Sequence, residues 1–349
     1  MLRSLGLAAL ALAALGSVAQ AGPQIPSKVV ESEMAMFRTS DGQPATVTIK
    51  GMGKNEEATG QALLGPGIYR LKLSGERNIL RMIAPRLLFV RPLPPQLPAN
   101  APLADRIAYV QVHRWDNGET GMGRFLNGLG RNFGSILIPS AYNFSWILAG
   151  TQTTQRNVKN AIDTLARRGY VVDCFSAVHG YPIQLADGEW VPDHAGLRSV
   201  RLFYTTACWG ARGQEAFRAA GVRTYVAAEG VNIVSAFHMT VFSRNWAAGR
   251  TVADCSARAW RFTHGAGSSF LLRWAARKAA DVERGGDLTQ TWKDTEPKVF
   301  GDGSIRILSD PRLEGIARAE AEGSAMRSYG MNRTLKRLIL DPIGPILVP

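Results

Sequence analysis

Two apolar stretches decide the fold that this sequence predicts: Tyr170-Val-Val-Asp-Cys-Phe-Ser-Ala-Val178, followed by His179-Gly180, and Val200-Arg-Leu-Phe-Tyr-Thr-Thr-Ala207, followed by Cys208. Each run is short and mostly apolar, which favours neighbouring buried strands of a parallel sheet. Ligands of such sheets bind at the carboxyl ends of the strands. Because His179 and Cys208 both fall at such an end, we interpret them as a candidate Cys-His hydrolase site.

The segment before the first of these strands has helical periodicity. Between Asn157 and Arg168, apolar side chains recur at i, i+3, i+4 and i+7. Thr154 can cap the start of this helix, and Gly169 can turn the chain after it. Continued alternation of strands and helices predicts an α/β fold with a mostly parallel sheet flanked by helices. The other predicted elements are strands at Ile107–Val112, Phe144–Leu148 and Val222–Ala228, helices at Glu215–Ala220, Phe237–Ala248 and Val252–Phe262, and a closing segment at Phe300–Arg306.

Composition divides the chain into five parts. Residues 1–21 have a basic start, an apolar middle and the ending Ala19-Gln-Ala21, which is typical of a secretory signal peptide. Cleavage near Ala21 would direct the mature chain to the periplasm or the cell exterior. The other parts are a small β-rich N-terminal region at 22–91, a Pro-rich linker at 92–102, a catalytic domain at 103–310 and a C-terminal helical tail at 311–349.

The N-terminal β-rich region is indicated by alternation of Tyr69, Leu71 and Leu73 with basic residues, and by turn signals around it. No recognisable chemistry falls within it. Three interpretations stay open at this point: a propeptide, an accessory domain, or part of the packing of the main domain.

The chain is strongly basic, with 41 Lys and Arg residues against 28 Asp and Glu residues and a formal net charge of +13. Such a charge attracts membranes, cell-wall polymers or acidic partners. The basic residues are scattered rather than gathered in a block or stripe, so we do not expect nucleic-acid binding. After the leader, no run approaches the roughly 20 apolar residues of a spanning helix, so we expect no transmembrane segment in the mature chain.

The chain contains three cysteines: Cys174, Cys208 and Cys255. In an oxidising compartment an odd number leaves one thiol over. If the exported chain is oxidised, we expect Cys174 to pair with Cys255, which leaves Cys208 for chemistry. The alternative is that all three are reduced and that Cys174 and Cys255 are simply buried.

Metal and cofactor chemistry is not expected. The histidines His113, His194, His238 and His264 show no metal-ligand spacing, and no zinc motif occurs. His238 falls on an apolar helix, where a core histidine is the simplest interpretation.

A cysteine and a histidine at adjoining strand ends can perform acyl transfer. The thiolate is the nucleophile, and a nearby histidine can take its proton and later pass it to the leaving amine. Backbone N–H groups at the two tight turns, those of Gly180 and Cys208, are the natural donors to an oxyanion.

The order of these features resembles the caspase-like (clan CD) cysteine peptidases, a group that includes caspases, legumains, clostripain, gingipains and separase. They share a helix, a strand ending in His-Gly and a strand ending in Ala-Cys, as in Asp173-Cys-Phe-Ser-Ala-Val-His179-Gly180 and Leu202-Phe-Tyr-Thr-Thr-Ala207-Cys208-Trp-Gly210. The segment Phe300-Gly-Asp-Gly-Ser-Ile-Arg306 is similar to an ending found in gingipain-like members. The resemblance covers about residues 107–308.

The resemblance implies a role for each candidate residue. His179 would be the general base and acid, Cys208 the nucleophile and Gly180 an oxyanion donor. The implied activity is hydrolysis of a protein or peptide substrate through an acyl-enzyme, with a caspase-like sheet as the scaffold.

The chain also departs from that pattern. Cys208 follows His179 by 29 positions, whereas caspases proper separate the two by about fifty. Val178 precedes the histidine, and the bulky Trp209 follows the cysteine. The competing functions are an inactive caspase-like scaffold and a periplasmic solute-binding protein. Five acidic residues are candidates for a specificity pocket: Asp187, Glu189, Asp193, Glu229 and Asp254.

Overall fold

The computed structural model describes residues 25–39, 41–75, 86–114, 141–178, 180–232, 235–266 and 294–307, with the backbone alone for 235–237 and 263–266. The leader at 1–21, the tail at 311–349 and His179 lie outside the described residues. No helix in the described part is both long enough and apolar enough to cross a membrane.

The described residues form fifteen strands and five α-helices. The strands are β1 (Lys28–Val30), β2 (Met34–Met36), β3 (Thr46–Gly51), β4 (Lys54–Thr59), β5 (Gln61–Leu63), β6 (Gly67–Leu73), β7 (Arg86–Arg91), β8 (Ile107–His113), β9 (Phe144–Ala149), β10 (Val171–Ala177), β11 (Gln184–Leu185), β12 (Gly188–Glu189), β13 (Val200–Thr205), β14 (Thr224–Ala228) and β15 (Pro297–Gly301). The helices are α1 (Leu103–Arg106), α2 (Gln155–Arg167), α3 (Gln214–Ala219), α4 (Ser235–Ala247) and α5 (Val252–Ala266).

The main sheet has six strands in the order β15-β14-β13-β10-β8-β9. Strands β8, β9, β10, β13 and β14 run parallel, and β15 pairs antiparallel at one edge. The predicted pairing of β10 with β13 is confirmed, and so is the predicted α/β class with a mostly parallel sheet flanked by helices. The chain passes from β8 to β9 on one side and from β10 to β13 on the other, so a topological switch point lies between β8 and β10.

Helix α2 follows from the pattern that predicts it. The side chain of Thr154 accepts a hydrogen bond from the Asn157 N–H and caps the first turn. The predicted apolar face is fully buried and consists of Val158, Ala161, Ile162 and Leu165. After the helix Gly169 has φ of +85°, a conformation that glycine adopts without steric cost.

Two apolar layers cover the main sheet. The α2 side contains α2 and Phe217 of α3, together with one set of strand residues that includes Cys174. The α4–α5 side contains Phe242 and Trp246 of α4 and Cys255 of α5. Since neighbouring side chains on a strand point to opposite faces, each strand contributes to both layers.

Strand β13 carries one extra residue where it pairs with β10. Val172 pairs with Val200, but the next residue, Asp173, pairs with Leu202. Arg201 is therefore a β-bulge, which bends a strand and redirects its side chains.

The bulge sets the direction of the side chains that follow it. Val200 and Phe203 pack on the α2 side, whereas Leu202 and Tyr204 pack on the α4–α5 side. Strict alternation would have placed Val200 and Leu202 in the same layer, because a shift of one residue exchanges the two faces.

A buried ion pair holds the bulge. Arg201 donates to both carboxylate oxygens of Asp173, at 2.8 and 2.9 Å. The hydroxyl of Tyr142 donates to the same carboxylate at 2.6 Å, and the Trp246 indole donates to that hydroxyl at 2.8 Å. Arg201 also donates to the Ile307 carbonyl at 2.8 Å. The pair thus joins β10, β13, α4 and the segment after β15.

The N-terminal residues form a smaller sheet, in the order β1-β7-β6-β3-β4, beside the short β2–β5 pair. Its core includes Tyr69 and Leu71 of β6, which are buried as their alternation predicts, with Arg70 exposed between them. Val30 of β1 belongs to the core of the main sheet instead.

Two side-chain amides attach this N-terminal unit to the main domain. Asn157 accepts from the Met34 N–H and donates to the Met34 carbonyl, both at 2.9 Å. Gln152 does the same with Met36, at 3.2 and 3.1 Å. All four residues are buried. These contacts join the region to the main domain, and they are compatible with each of its three interpretations.

Arg91, at the end of β7, reaches the outer strand of the main sheet. Its guanidinium donates to the Ser145 carbonyl on β9 and lies 4.9 Å from the centre of the Phe144 ring. An edge carbonyl of β9 therefore has a partner in the N-terminal unit.

Glu33 is a buried carboxyl group at the junction of the two units. Its Oε2 accepts from the Val30 N–H at 3.0 Å and from the Trp146 indole at 2.9 Å. Burial raises the pKa of Glu33 from 4.5 to about 7, although these hydrogen bonds and the charge of Arg91 lower it in part. The protonated form of Glu33 therefore predominates in the folded chain below about pH 7.

We expect the Asp173→Ala variant to lose about 3–5 kcal/mol in its free energy of unfolding, because Arg201 is left buried without its carboxylate. Urea denaturation measures this loss. The matched control is Glu56→Ala, which removes the exposed pair with Lys54 and should cost at most about 1 kcal/mol. Equal losses in the two variants would contradict the role given to the buried pair.

Glu33 predicts a pH dependence of stability. Its pKa is higher in the folded than in the unfolded chain, so its stabilising contribution is complete below pH 4.5 and is lost as the pH rises through about 7. The free energy of unfolding of the wild-type chain should fall over this window by roughly 2–4 kcal/mol more than that of Glu33→Gln. The Gln side chain keeps an acceptor but has no proton to lose. Parallel pH profiles of the two proteins, measured in urea, would refute the prediction.

Candidate active site

The two predicted site segments lie at the same edge of the main sheet. Strand β10 ends at Ala177 and β13 ends at Thr205, and the two strands are parallel neighbours. Pairing continues past their ends, since the Thr206 N–H donates to the Ser176 carbonyl at 2.9 Å. His179 itself lies outside the described residues, so the structure gives no geometry for the predicted dyad.

Gly180, the predicted oxyanion donor next to His179, has a left-handed backbone with φ of +48°. A Cβ placed on it would meet nothing within 4 Å. Glycine suits this position because its conformation is costly for other residues, and the open space around it leaves room for a substrate. Among the described residues, the Gly180 N–H has no hydrogen-bond partner.

Cys208 lies on a tight turn that follows β13. The next residue, Trp209, adopts φ of +54°, which is uncommon for a side chain of this size. The turn is held by hydrogen bonds from the Trp209 N–H to the Gly230 carbonyl at 2.8 Å and from the Gly210 N–H to the Ala207 carbonyl at 3.1 Å. Left-handed residues of this kind are strained and occur often at active sites.

The bulky side chain of Trp209 is half-buried. The guanidinium of Arg212 lies 5.8 Å from the centre of that ring. Cys208 remains half-buried rather than sealed.

The loop after His179 and the loop after Cys208 touch each other. A Cβ on Gly213 would lie only 2.8 Å from Cε2 of Tyr181 and 3.1 Å from the hydroxyl of Tyr225. The same Tyr225 hydroxyl donates to the Gly210 carbonyl at 2.8 Å. Glycine at 213 therefore permits the close approach of the two loops on which the candidate residues lie.

Asn232 is a site residue that sequence reasoning missed. The Asn232 backbone N–H donates to the Cys208 Sγ at 3.4 Å, and Asn232 is buried. Its side-chain Oδ1 is buried without a hydrogen-bond partner among the described residues. A donor to the sulfur favours the thiolate over the thiol. The available signal was its place just after the predicted strand Val222–Ala228, at the ligand-binding edge of the sheet.

The predicted Cys174–Cys255 disulfide is wrong. The three cysteines of the chain, all of them described, form no disulfide. Cys174 packs on the α2 side of the sheet and Cys255 on the α4–α5 side, so the sheet separates the two thiols. A disulfide needs Cα atoms within about 7 Å of each other. Burial raises the pKa of both thiols well above the ordinary range.

Two other histidines, His238 and His194, are buried. His238 is fully buried, and burial lowers its pKa to about 3, so the ring is neutral. His194 Nδ1 lies 2.8 Å from Asp163 Oδ1. Within the described ranges, no group of three or more His, Cys, Asp and Glu side chains could hold a metal ion.

Three of the five acidic candidates for a specificity pocket are already engaged. Asp254 lies on α5 and pairs with Arg250 and Arg258. Asp193 lies 3.9 Å from Lys159. Asp187 accepts from the Gln155 N–H at 2.8 Å. Glu189 and Glu229 are exposed.

Comparison with known proteins gives structural matches alone. No protein family model matches the chain, and no curated protein matches it significantly. The crystal structure of the Arg-specific cysteine proteinase gingipain R (RgpB) is similar at 13% identity and a TM-score of 0.36, over 59% of this chain and 49% of that one. A complex of the pro- and mature domains of RgpB from Porphyromonas gingivalis is similar at 12% identity and a TM-score of 0.33, over 59% and 50% of the two chains. This chain thus spans about half the length of the gingipain chains that it matches.

The placement of the cysteines predicts a single reactive thiol. Under native conditions iodoacetamide should label Cys208 first, because Cys174 and Cys255 are fully buried and their raised pKa values disfavour the thiolate. Peptide mapping by mass spectrometry measures the label at each position. The control is the same reaction in denaturant, where all three should react. Labelling of Cys174 or Cys255 before Cys208 in the folded protein would contradict this assignment.

Proposed function

We propose that the chain is a cysteine peptidase that uses Cys208 as its nucleophile and His179 as its general base and acid. The observation that carries the proposal is the Cys208 turn. This turn lies at the carboxyl end of β13 and is strained at Trp209. The Asn232 N–H donates to the Cys208 sulfur. The loop that continues from the turn contacts the loop that follows His179. The order of residues that resembles the caspase-like peptidases supports the same roles.

The proposed reaction has two steps, acylation of Cys208 and hydrolysis of the acyl-enzyme. Cys208 Sγ, having given its proton to His179, attacks the scissile carbonyl, and the backbone N–H groups of Gly180 and Cys208 stabilise the oxyanion. The intermediate collapses to an acyl-enzyme while His179 protonates the leaving amine. Water then attacks the thioester carbonyl, His179 accepts its proton, and Cys208 leaves as thiolate and is reprotonated.

The contact between Asn232 and Cys208 contributes to the first step. The Asn232 N–H at 3.4 Å stabilises negative charge on the sulfur, so the nucleophile depends less on His179 for its deprotonation. The proposed substrates are proteins or peptides, and we assign no metal or cofactor to the reaction.

We place this activity in the periplasm or outside the cell. The signal-peptide pattern at residues 1–21 is the basis of that placement. The exported protein should begin at Gly22. Peptide mapping of the exported protein by mass spectrometry identifies its N-terminal residue. A peptide that retains Met1 would refute the placement.

Replacing Cys208 by Ala should abolish cleavage of a mixed peptide library by the purified, reduced protein, because the acyl-enzyme cannot form. His179→Ala should lower the rate by about 10²–10⁴-fold and slow the alkylation of Cys208. The matched control is Cys255→Ala, which removes a thiol from the α4–α5 side and should retain activity. Cleavage that survives in Cys208→Ala, or a wild-type protein that cleaves no peptide, would overturn the proposal.

A further inference from the structure

A cavity of about 590 Å³ lies between the N-terminal unit and the main sheet. Its walls include Met36 and Arg38 from the N-terminal unit, and Arg114, Arg156 and Asp187 from the main domain. This volume falls within the range of about 300–1,000 Å³ that is typical of ligand pockets.

The cavity lies beside the topological switch point of the main sheet. Arg114 directly follows β8, and its backbone N–H donates to the Ala177 carbonyl at the end of β10 at 2.9 Å. Asp187 belongs to the segment that follows β10. The crevice at a switch point, outside the carboxyl ends of the strands, is the usual ligand site of open α/β sheets.

Three arginines from separate segments line the cavity: Arg38, Arg114 and Arg156. The side chains of Arg38 and Arg156 make no hydrogen bond or ion pair with any described residue. Arg114 Nη1 donates to the Leu185 carbonyl. Like charges in one cavity repel each other, so an anionic occupant is favoured there.

The two carboxylates in the wall are already used by the chain. Asp187 accepts from the Gln155 N–H at 2.8 Å, and Asp41 accepts from the Thr39 hydroxyl. The hydrogen bond from Thr39 lowers the pKa of Asp41, so this group stays ionised and does not serve as a donor. The lining thus holds three arginines against two carboxylates, so positive charge predominates.

We propose that this cavity binds a carboxylate group, supplied either by an acidic side chain of a peptide or by a free dicarboxylate. A guanidinium group binds a carboxylate through two parallel hydrogen bonds, which gives both affinity and orientation. Met34 and Met36 add apolar wall for the short aliphatic stem of such a ligand.

Carboxylate binding in this cavity does not depend on the proposed peptidase reaction, because it involves no chemical step. In space, however, the cavity lies on the same edge of the sheet as the candidate active site. The ends of β8 and β13 are separated by two strand spacings, about 10 Å, which is the length of roughly three extended residues. A peptide held by its acidic side chain could therefore cross the end of β10 and reach Cys208.

The test uses the full chain with Cys208→Ala, so that no probe is cleaved. Calorimetry at low salt measures binding of N-acetyl-Ala-Glu-Ala-Ala-amide, of its Gln counterpart and of glutarate. The Glu peptide should bind about tenfold more tightly than the Gln peptide. In the Cys208→Ala protein, the additional substitution Arg156→Gln should weaken binding of the Glu peptide about tenfold. The affinity for the Gln peptide should not change.

Two further variants complete the design. Arg38→Gln removes the second guanidinium and should weaken the same probe. Arg261→Gln is the matched control, since Arg261 is exposed on α5, outside the cavity lining. Arg156 is exposed as well, so its replacement should leave thermal unfolding unchanged.

The outcomes separate the two sources of the carboxylate. Binding of glutarate alone, lost in Arg156→Gln and Arg38→Gln, supports the site and assigns a free dicarboxylate to it. Equal affinity for the Glu and Gln peptides with no binding of glutarate would overturn the proposal. Losses in Arg156→Gln and Arg38→Gln no larger than the loss in Arg261→Gln would overturn it as well. Because Cys208 is absent throughout, failure of the peptidase assignment leaves this test unaffected.

Discussion

The buried pair of Asp173 and Arg201 is the interaction on which the rest of the main domain depends. It holds one extra residue in β13, and that residue decides which side chains of the strand face each layer. Without the bulge, Leu202, Phe203 and Tyr204 would exchange sides, and the turn that presents Cys208 would leave the sheet in another direction. A buried ion pair contributes little net stability, because its desolvation offsets its attraction. Its value here is the single register that it permits.

The candidate site is built on that register by short-range constraints. The left-handed Trp209 is tied to Gly230, and the Asn232 N–H lies against the Cys208 sulfur. These contacts link the ends of β13 and β14, while the close approach of Tyr181 to Gly213 links the loops after β10 and β13. The strain of the turn is thus sustained by packing from three neighbouring strand ends, which is the arrangement that keeps a nucleophile in one orientation.

The sequence alone predicts the strands and helices that form the layers of the main domain. It does not predict the bulge in β13, the layer in which Cys174 lies or the contact of Asn232 with Cys208. The face of α2 and the runs of β10 and β13 follow from apolar periodicity, so they are predicted to within a few residues. The bulge in β13 could not be predicted. A strand with apolar residues on both faces has no apolar–polar alternation, so the sequence does not reveal where the pairing register shifts. The same lack of alternation hides the layer to which Cys174 points, and this is why its predicted pairing with Cys255 is wrong. Charged Asp173 and Arg201 within apolar runs were the signal that could have located the bulge. The contact of Asn232 with Cys208 spans 24 positions and has no local signature.

The position of Arg91 has a consequence for the behaviour of the chain in solution. Strand β9 ends the order of the described main sheet, and an outer strand offers its backbone groups to any other chain that can add a strand. The guanidinium of Arg91 occupies the Ser145 carbonyl and covers Phe144 with a positive charge. A foreign strand would have to displace both contacts before it could pair there. The N-terminal unit therefore makes strand addition at this position of the edge less favourable, whatever the chemistry at the other end of the sheet.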